Sequence, residues 1–143
     1  MDSTLDDRVL RAYYAARAPV YDRVYSKPER QPDLRHLQDW AATLLAGRRV
    51  IEIACGTGYW TQFIAPVAKG LVATDASPEA LQLARAREGV DKVEFRLADA
   101  YQLGEELGHF DGALCALWIS HIPRQRLRGF FEGLHHRLLP GSP

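Results

Sequence analysis

The stretch Val50-Ile51-Glu52-Ile53-Ala54-Cys55-Gly56-Thr57-Gly58-Tyr59 constrains this chain more than any other. A short apolar run ends in a turn of small residues, and a helical pattern follows. A carboxylate, Asp75, then closes the next apolar run. Strand, tight turn, helix and strand in that order predict a parallel sheet, because parallel strands need a crossover between them. Sheets of this kind take ligands beyond the carboxyl ends of their strands, where the strand order reverses.

The alternation continues along the chain. Arg49 to Ala54 reads as the first strand, followed by a helix from about Tyr59 to Ala65 that Pro66 ends. Leu71 to Thr74 reads as the second strand. Ser77 suits the N-cap and Pro78 the first position of a helix that runs to Glu88 and ends at Gly89. Val93 to Ala98 is the predicted third strand and Phe110 to Trp118 the fourth. In the fourth, Ala113 to Leu117 is apolar on both faces, as in a central strand. A last helix begins near Pro123 with Leu127, Phe130, Phe131, Leu134 and Leu138 on one stripe.

Two helices precede the sheet. Thr4 is expected to cap one that runs to about Ala18, with Leu5, Val9, Leu10, Tyr13 and Tyr14 at near-helical spacing. Tyr21 to Tyr25 reads as a loop or short turn, and Ser26 to Pro32 as a connector. The second helix runs from about Asp33 to Ala46 and is expected to bury Leu34, Leu37, Trp40, Ala41, Leu44 and Leu45. The order ααβαβαββα makes one domain of 143 residues, with a helical segment over 1–47 and an α/β core over 48–143. Right-handed crossovers fold that core into a doubly wound parallel sheet with strand order 3-2-1-4.

Composition excludes several classes. Lys+Arg and Asp+Glu number 18 each, so the net charge is zero, and no basic run stands out for a nucleic-acid duplex. No apolar run reaches the length of a membrane span. The N-terminus, Met1 to Asp7, is acidic and lacks the apolar core of a signal peptide. Cys55 and Cys115 form no CxxC pair, and no Cys/His spacing suggests a metal. They read as reduced thiols of a cytoplasmic protein.

Four loops converge at the carboxyl edge, beginning at Ala54, Asp75, Asp99 and Cys115. Gly56 and Gly58 carry no Cβ, so the backbone there can approach a ligand. Asp75 can accept from both hydroxyls of a ribose. An adenine can lie beside Asp99-Ala100-Tyr101, with Asp99 accepting from its exocyclic amine and the Ala100 amide donating to a ring nitrogen. An Asp at a strand end also serves as a simple turn cap; what favours the ligand reading is that two such residues follow successive strands. A dinucleotide site would use G-x-G-x-x-G, but Thr61 stands at the third glycine position. That disfavours an NAD-dependent oxidoreductase. The P-loop pattern is absent. A nucleoside cofactor without phosphates to cradle remains.

On these residues the chain resembles the class I S-adenosylmethionine-dependent methyltransferases. Glu52 to Gly58 matches the first motif of that family, with Ala54 in place of its first glycine. Asp75-Ala76-Ser77, Leu97-Ala98-Asp99-Ala100, Phe110-Asp111-Gly112-Ala113-Leu114 and Leu138-Leu139-Pro140-Gly141 follow in order, and Tyr14 to Asp22 is similar to the opening helix of small-molecule members. The resemblance implies a Rossmann-like fold with S-adenosylmethionine as cofactor. The backbone at Ala54, Gly56 and Gly58 would face its methionine part, with Glu52 beneath and Tyr21 reaching its carboxylate. Asp75 would hold the ribose, and Asp99 and Ala100 the adenine, with Tyr101 beside it; Ala76, and Ala116 at the end of the fourth strand, would complete the cofactor-binding set. Cys115-Ala116-Leu117-Trp118 lacks the pattern of enzymes that methylate nucleic-acid bases, so the expected acceptor is a small molecule.

Methyl transfer is a direct displacement, in which alignment supplies much of the catalysis. His121, just after the fourth strand, is the candidate base for an acceptor that must lose a proton. The family sheet usually has seven strands, and this chain supplies four, reaching Leu139 to Pro143 where a fifth would begin. The expectation is a shortened member of the family, with an open, apolar fourth-strand edge that favours self-association. A non-catalytic cofactor-binding or interaction module is the alternative to a working enzyme.

Overall fold

The computed structural model describes the backbone from Ser3 to Pro143 and the side chains from Arg8 onward. The cap at Thr4 and the packing of Leu5 lie outside the described side chains. Helix α1 spans Ser3–Arg17, and the expected loop or short turn at Tyr21 to Tyr25 is part of a 3-10 segment over Ala18–Tyr25. A short turn at Pro28–Arg30 leads into α2, Gln31–Leu45. The core follows as β1 (Arg49–Glu52), α3 (Thr61–Ile64), β2 (Gly70–Asp75), α4 (Pro78–Arg85), β3 (Glu94–Leu97), β4 (Gly112–Leu114) and α5 (Arg124–Arg137). The strands form one sheet in the order β3-β2-β1-β4, parallel throughout.

Successive residues of β1 face opposite sides of the sheet, as the strand period requires. Val50 joins Ala41, Leu45, Ile64 and Leu71, and so packs against α2 and α3. Ile51 and Ile53 join Val72, Phe110, Ile122 and Phe130, and so pack against α5. Helices therefore cover both faces, as the doubly wound prediction demands. Helix α4 begins as predicted: Ser77 Oγ accepts from the Ala80 amide at 3.2 Å, and Pro78 fills the first position.

Several element ends differ from expectation, each for a local reason. β1 stops at Glu52 because Ala54 turns to φ 54°. β4 stops at Leu114, and Leu117 beyond it adopts φ 58°, so the apolar run does not continue as a strand. Helix α3 keeps only one turn, since Tyr59 and Trp60 belong to the approach, and Phe63 N donates back to Trp60 O at 3.0 Å in a 3-10 pattern. Helix α4 ends at Arg85, where Ala86 and Arg87 donate three residues back to Leu83 and Ala84, well before Gly89.

Helix α2 buries Leu34, Ala41 and Leu45, which lie on one narrow stripe. Leu37, Trp40 and Leu44 sit on its flank and remain 45%, 58% and 38% exposed, against expectation. The sheet face offers α2 less width than its apolar arc could cover. Val9 and Tyr13 of α1 are likewise exposed, as is Phe131 of α5. The remaining expected member of the α5 stripe, Leu138, falls outside the helix and pairs with Phe110 in a parallel bridge.

That bridge, with one bond to β4 itself, occupies part of the expected open edge. β4 is the sheet edge, but the chain's own last residues lie along it. Phe110 N donates to Arg137 O at 2.8 Å, Leu139 N to Phe110 O at 2.9 Å, and Ala113 N to Pro143 O at 3.0 Å. Backbone groups taken this way do not offer themselves to another chain.

Phe130 is fully buried and meets Trp118 at 5.2 Å between ring centroids, whereas Phe131 is about half exposed. Replacing Phe130 with alanine is expected to lower the unfolding free energy by about 3–5 kcal/mol, and Phe131→Ala by much less. Urea unfolding checks this, and equal losses would place both rings in the core.

Candidate functional site

The site begins where β1 ends. Ala54, Gly56 and Gly58 all have left-handed backbone (φ 54°, 56° and 78°), and the turn is closed by Gly58 N donating to Cys55 O at 3.0 Å. Alanine at φ 54° is unfavourable, and the neighbours hold it. Ile53 N donates to Leu114 O and Cys55 N to Thr74 O, both at 2.9 Å, which ties the turn to β4 on one side and β2 on the other.

Asp75 fixes the same turn from the end of β2. One carboxylate oxygen accepts from the Gly56 amide at 2.8 Å, and the other from the Ser77 amide at 2.9 Å. The Ala76 amide also bonds the carboxylate, which leaves part of its acceptor capacity for a ligand. Burial pushes the Asp75 carboxyl above the usual range, while the amides of Ser77, Gly56 and Ala76 pull it back. Asp75 is therefore both turn cap and candidate ligand acceptor.

Glu52 lies beneath the turn and is 2% exposed. Thr61 Oγ1 contacts its carboxyl at 2.6 Å, and Thr74 Oγ1 donates to its backbone carbonyl at 3.1 Å. Burial pushes its carboxyl up to about 8; the Thr61 bond works against this, and nearby Asp75 adds to it. The residue at the missing third-glycine position thus serves as the partner of the buried acid.

The remaining candidates line one cleft with these groups. Asp99 accepts from the Tyr101 amide at 2.9 Å through one oxygen and pairs with Arg11 at 3.1 Å through the other. Arg126 stacks on Tyr101 with its guanidinium 3.4 Å from the ring centroid. Tyr21 sits half-buried beside Tyr25, and burial raises its phenol. His121 stands at the rim, its Nδ1 2.9 Å from the Tyr14 hydroxyl. The cleft brings together Tyr21, Glu52, Ala54, Gly56, Asp75, Ala76, Asp99, Ala100, Tyr101, Ala116 and His121. Gly58 is not among the lining residues. It packs on α4, where an added Cβ would fall 3.0 Å from Ala84 Cβ.

The cleft also contains residues that sequence reasoning missed. Arg11 and Tyr14 arrive from α1, and Leu117 and Trp118 from beyond β4. Asp22 accepts from Thr57 Oγ1 at 2.5 Å and pairs with Arg87, whose Nε donates to Thr57 O at 2.6 Å. This network clamps the 3-10 segment and the glycine turn to the end of α4. Asp22 and Thr57 sit in stretches the sequence singles out, but nothing local pairs them with each other or with Arg87, because the three are far apart in the chain.

Fold and cleft together define a Rossmann-like α/β domain with its cleft at the carboxyl edge of the sheet. Residues 50–141 match the family described as "Methyltransferase domain", and the chain belongs to that family. It is 32% identical over 82 residues to the ubiquinone biosynthesis O-methyltransferase of Xanthomonas oryzae pv. oryzae, a match covering 55% of this chain and 34% of that protein. The corresponding protein of Dechloromonas aromatica is 31% identical over 90 residues, covering 59% and 39%. The chain thus spans little more than a third of the length of the curated relatives it matches. Among solved structures, DhpI bound to SAH superposes with a TM-score of 0.80 at 32% identity, covering 92% of this chain and 63% of that one. The N-methyltransferase NodS of Bradyrhizobium japonicum in complex with S-adenosyl-L-homocysteine gives a TM-score of 0.80 at 20% identity, covering 92% and 69%, which supports the fold.

The raised Glu52 carboxyl has a consequence for stability. A native acid that titrates near 8 instead of near 4.5 binds its proton more tightly folded than unfolded. Its contribution is fully present below the unfolded value and is lost as pH rises through about 8. Glu52→Gln keeps a partner for Thr61 and removes the titration. The variant is expected to lose less melting temperature than the wild type between pH 5 and pH 9, and parallel curves would show that Glu52 is ionised throughout.

Proposed function

We propose that this chain is an S-adenosylmethionine-dependent methyltransferase domain acting on a small-molecule acceptor. One observation carries the reading: the glycine turn after β1, Asp75 after β2 and Asp99-Ala100 after β3 all line a single cleft. The residues fit the cofactor by their chemistry. Asp75 offers its remaining acceptor capacity to the ribose hydroxyls, and Asp99 offers an acceptor beside the Ala100 amide for an adenine edge. Left-handed backbone at Ala54 and Gly56 keeps the turn next to the cleft, where the methionine part belongs. Tyr21 stands ready for the cofactor carboxylate, and Ala76, Tyr101 and Ala116 supply apolar wall.

When bound, the cofactor supplies a methyl group on a sulfonium sulfur. The chain's part is then to bind, align and exclude water, with Asp75 at the cleft edge and the protonated Glu52 supporting the turn from beneath. His121, which lines the cleft from the turn after β4, is the candidate base for an acceptor that must lose a proton. Among the described residues no helix is long and apolar enough to cross a membrane. Cys55 and Cys115 are free thiols, which supports the cytoplasm as the compartment.

Calorimetric titration tests the reading. S-adenosylmethionine and S-adenosylhomocysteine are expected to bind and NAD is not; folded, monodisperse protein that gives no heat with either of the first two overturns it. Asp75→Ala is expected to weaken cofactor binding by at least about 1 kcal/mol, or roughly fivefold in Kd. An unchanged Kd removes Asp75 from the site. Binding without turnover across a broad acceptor panel supports the non-catalytic module instead.

A further inference from the structure

The 3-10 segment over Ala18–Tyr25 lies against the glycine turn, and two of its side chains hold it there. In a 3-10 helix, side chains three apart share a face. Ala18 and Tyr21 form one such face, and both line the cleft. Asp22 and Tyr25 form the next. Tyr25 stacks on Tyr59 with ring centroids 3.7 Å apart, and its hydroxyl accepts from Trp60 Nε1 at 3.2 Å. Asp22 accepts from Thr57 Oγ1 and pairs with Arg87. Arg87, just past α4, reaches three groups with one guanidinium: Nε donates to Thr57 O at 2.6 Å, and Nη2 to Thr57 Oγ1 at 3.3 Å and to Asp22. Gly58 N donates to Cys55 O, so both polar ends of the Thr57–Gly58 peptide unit are fixed. Neither Asp22 nor Arg87 lines the cleft itself.

We infer that Asp22 and Arg87 are positioning residues for the cofactor: their ion pair straps the 3-10 segment onto the glycine turn and thereby sets how tightly and how long the cofactor is held. This rests on the S-adenosylmethionine reading above. A ligand seated between Tyr21 and the glycine turn needs the two walls at one spacing. While the strap is fastened, that spacing exists before the ligand arrives. Once it is loose, the ligand must order the segment as it binds, and affinity falls accordingly. The side chains of Arg87 and Asp22 keep 20% and 43% exposure, and ion pairs open to water add little to global stability. Tyr25 is buried and stays stacked when the pair is broken, so the loosened part is the one that carries Tyr21. The pair therefore acts on the spacing of the walls and leaves the sheet alone. Arginine suits the role because its planar fork holds a carbonyl and a carboxylate together, which a single ammonium point charge does not.

The test combines S-adenosylhomocysteine binding with amide hydrogen exchange on the full chain. The variants are Asp22→Asn, Arg87→Met and the two together. Arg128→Met, which breaks the exposed pair with Glu132 on α5, is the control. Each single variant is expected to raise Kd about tenfold, as for a segment fastened about a tenth of the time, mainly through faster dissociation. The double variant is expected to lose no more than the weaker-binding single, because the two residues make one contact. Without ligand, amides of residues 18–25 and 55–60 exchange faster in the variants, and those of β1 and β2 do not. S-adenosylhomocysteine restores the lost protection of residues 18–25, a signature that a purely structural pair would not give. Kd values that match the control overturn the inference, as do single effects that multiply in the double variant. So does exchange that quickens across the whole sheet. If Arg87→Met does not fold, Asp22→Asn decides by the same two measurements. Failure of the cofactor reading shows separately, as wild-type protein that binds no S-adenosylhomocysteine, while exchange of the unliganded variants still decides whether the pair fastens the segment.

Discussion

Placing a carboxyl group inside the sheet, at the end of its central strand, is the constraint that most of this structure answers. An ionised Glu52 without a cation beside it would cost several kcal/mol, and the charge that acts on it, Asp75, has the same sign. The protein meets the cost with a proton and with Thr61, whose hydroxyl reaches the carboxyl from the first turn of α3. That one contact sets where α3 must begin relative to β1. The residues between them, Ile53 to Trp60, then have to turn within a few ångströms, which is why three of them take left-handed backbone.

Register spreads the constraint across the sheet. Glu52 is level with Ala73 of β2 and with Leu114 of β4. Two residues further along each chain stand Ala54, Asp75 and Ala116, the three cleft residues at the middle of the edge. Asp75 is in turn level with Leu97 of β3, and two residues beyond that stands Asp99. The cleft is therefore a staircase built by parallel pairing: each strand contributes its residue at the same offset past its register partner. A one-residue slip would turn these side chains to the opposite face of the sheet. The buried Val50 and Ile51 hold β1 in place by facing two different hydrophobic layers.

This logic also explains what the sequence reveals and what it hides. Strand order, the Ser77-Pro78 helix start, and the acids at 75 and 99 are legible because each is a local pattern with a strong physical preference. Ser77 caps because of what lies three residues ahead, and no distant contact is needed. Leu117 is not legible: leucine gives no hint of left-handed backbone, and only the packing past β4 imposes it. The flank of α2 misleads for a related reason. Leu37, Trp40 and Leu44 have the spacing of a buried face, but burial is decided by the width of the surface they meet. Gly58 reads as a ligand-facing glycine beside Gly56, yet its missing Cβ is needed by Ala84 of α4. The two glycines serve the same turn for different steric reasons, and only the position of α4 separates them.

Helix α1 completes the cleft on different terms from the sheet. Its polar ties to the rim are Arg11 with Asp99 on the β3 side and Tyr14 with His121 on the β4 side, so it spans the point where strand order reverses. Both ties are exposed to solvent, and exposed ion pairs contribute about 0–1 kcal/mol. The floor is different: Glu52, Ile51 and Ile53 are buried under backbone bonds to both neighbouring strands. The wall that is cheapest to displace is therefore the one that also carries side chains into the cleft. Arg11 and Tyr14 thus tie α1 to both sides of the strand-order reversal through side chains alone, whereas the floor of the cleft is tied through backbone.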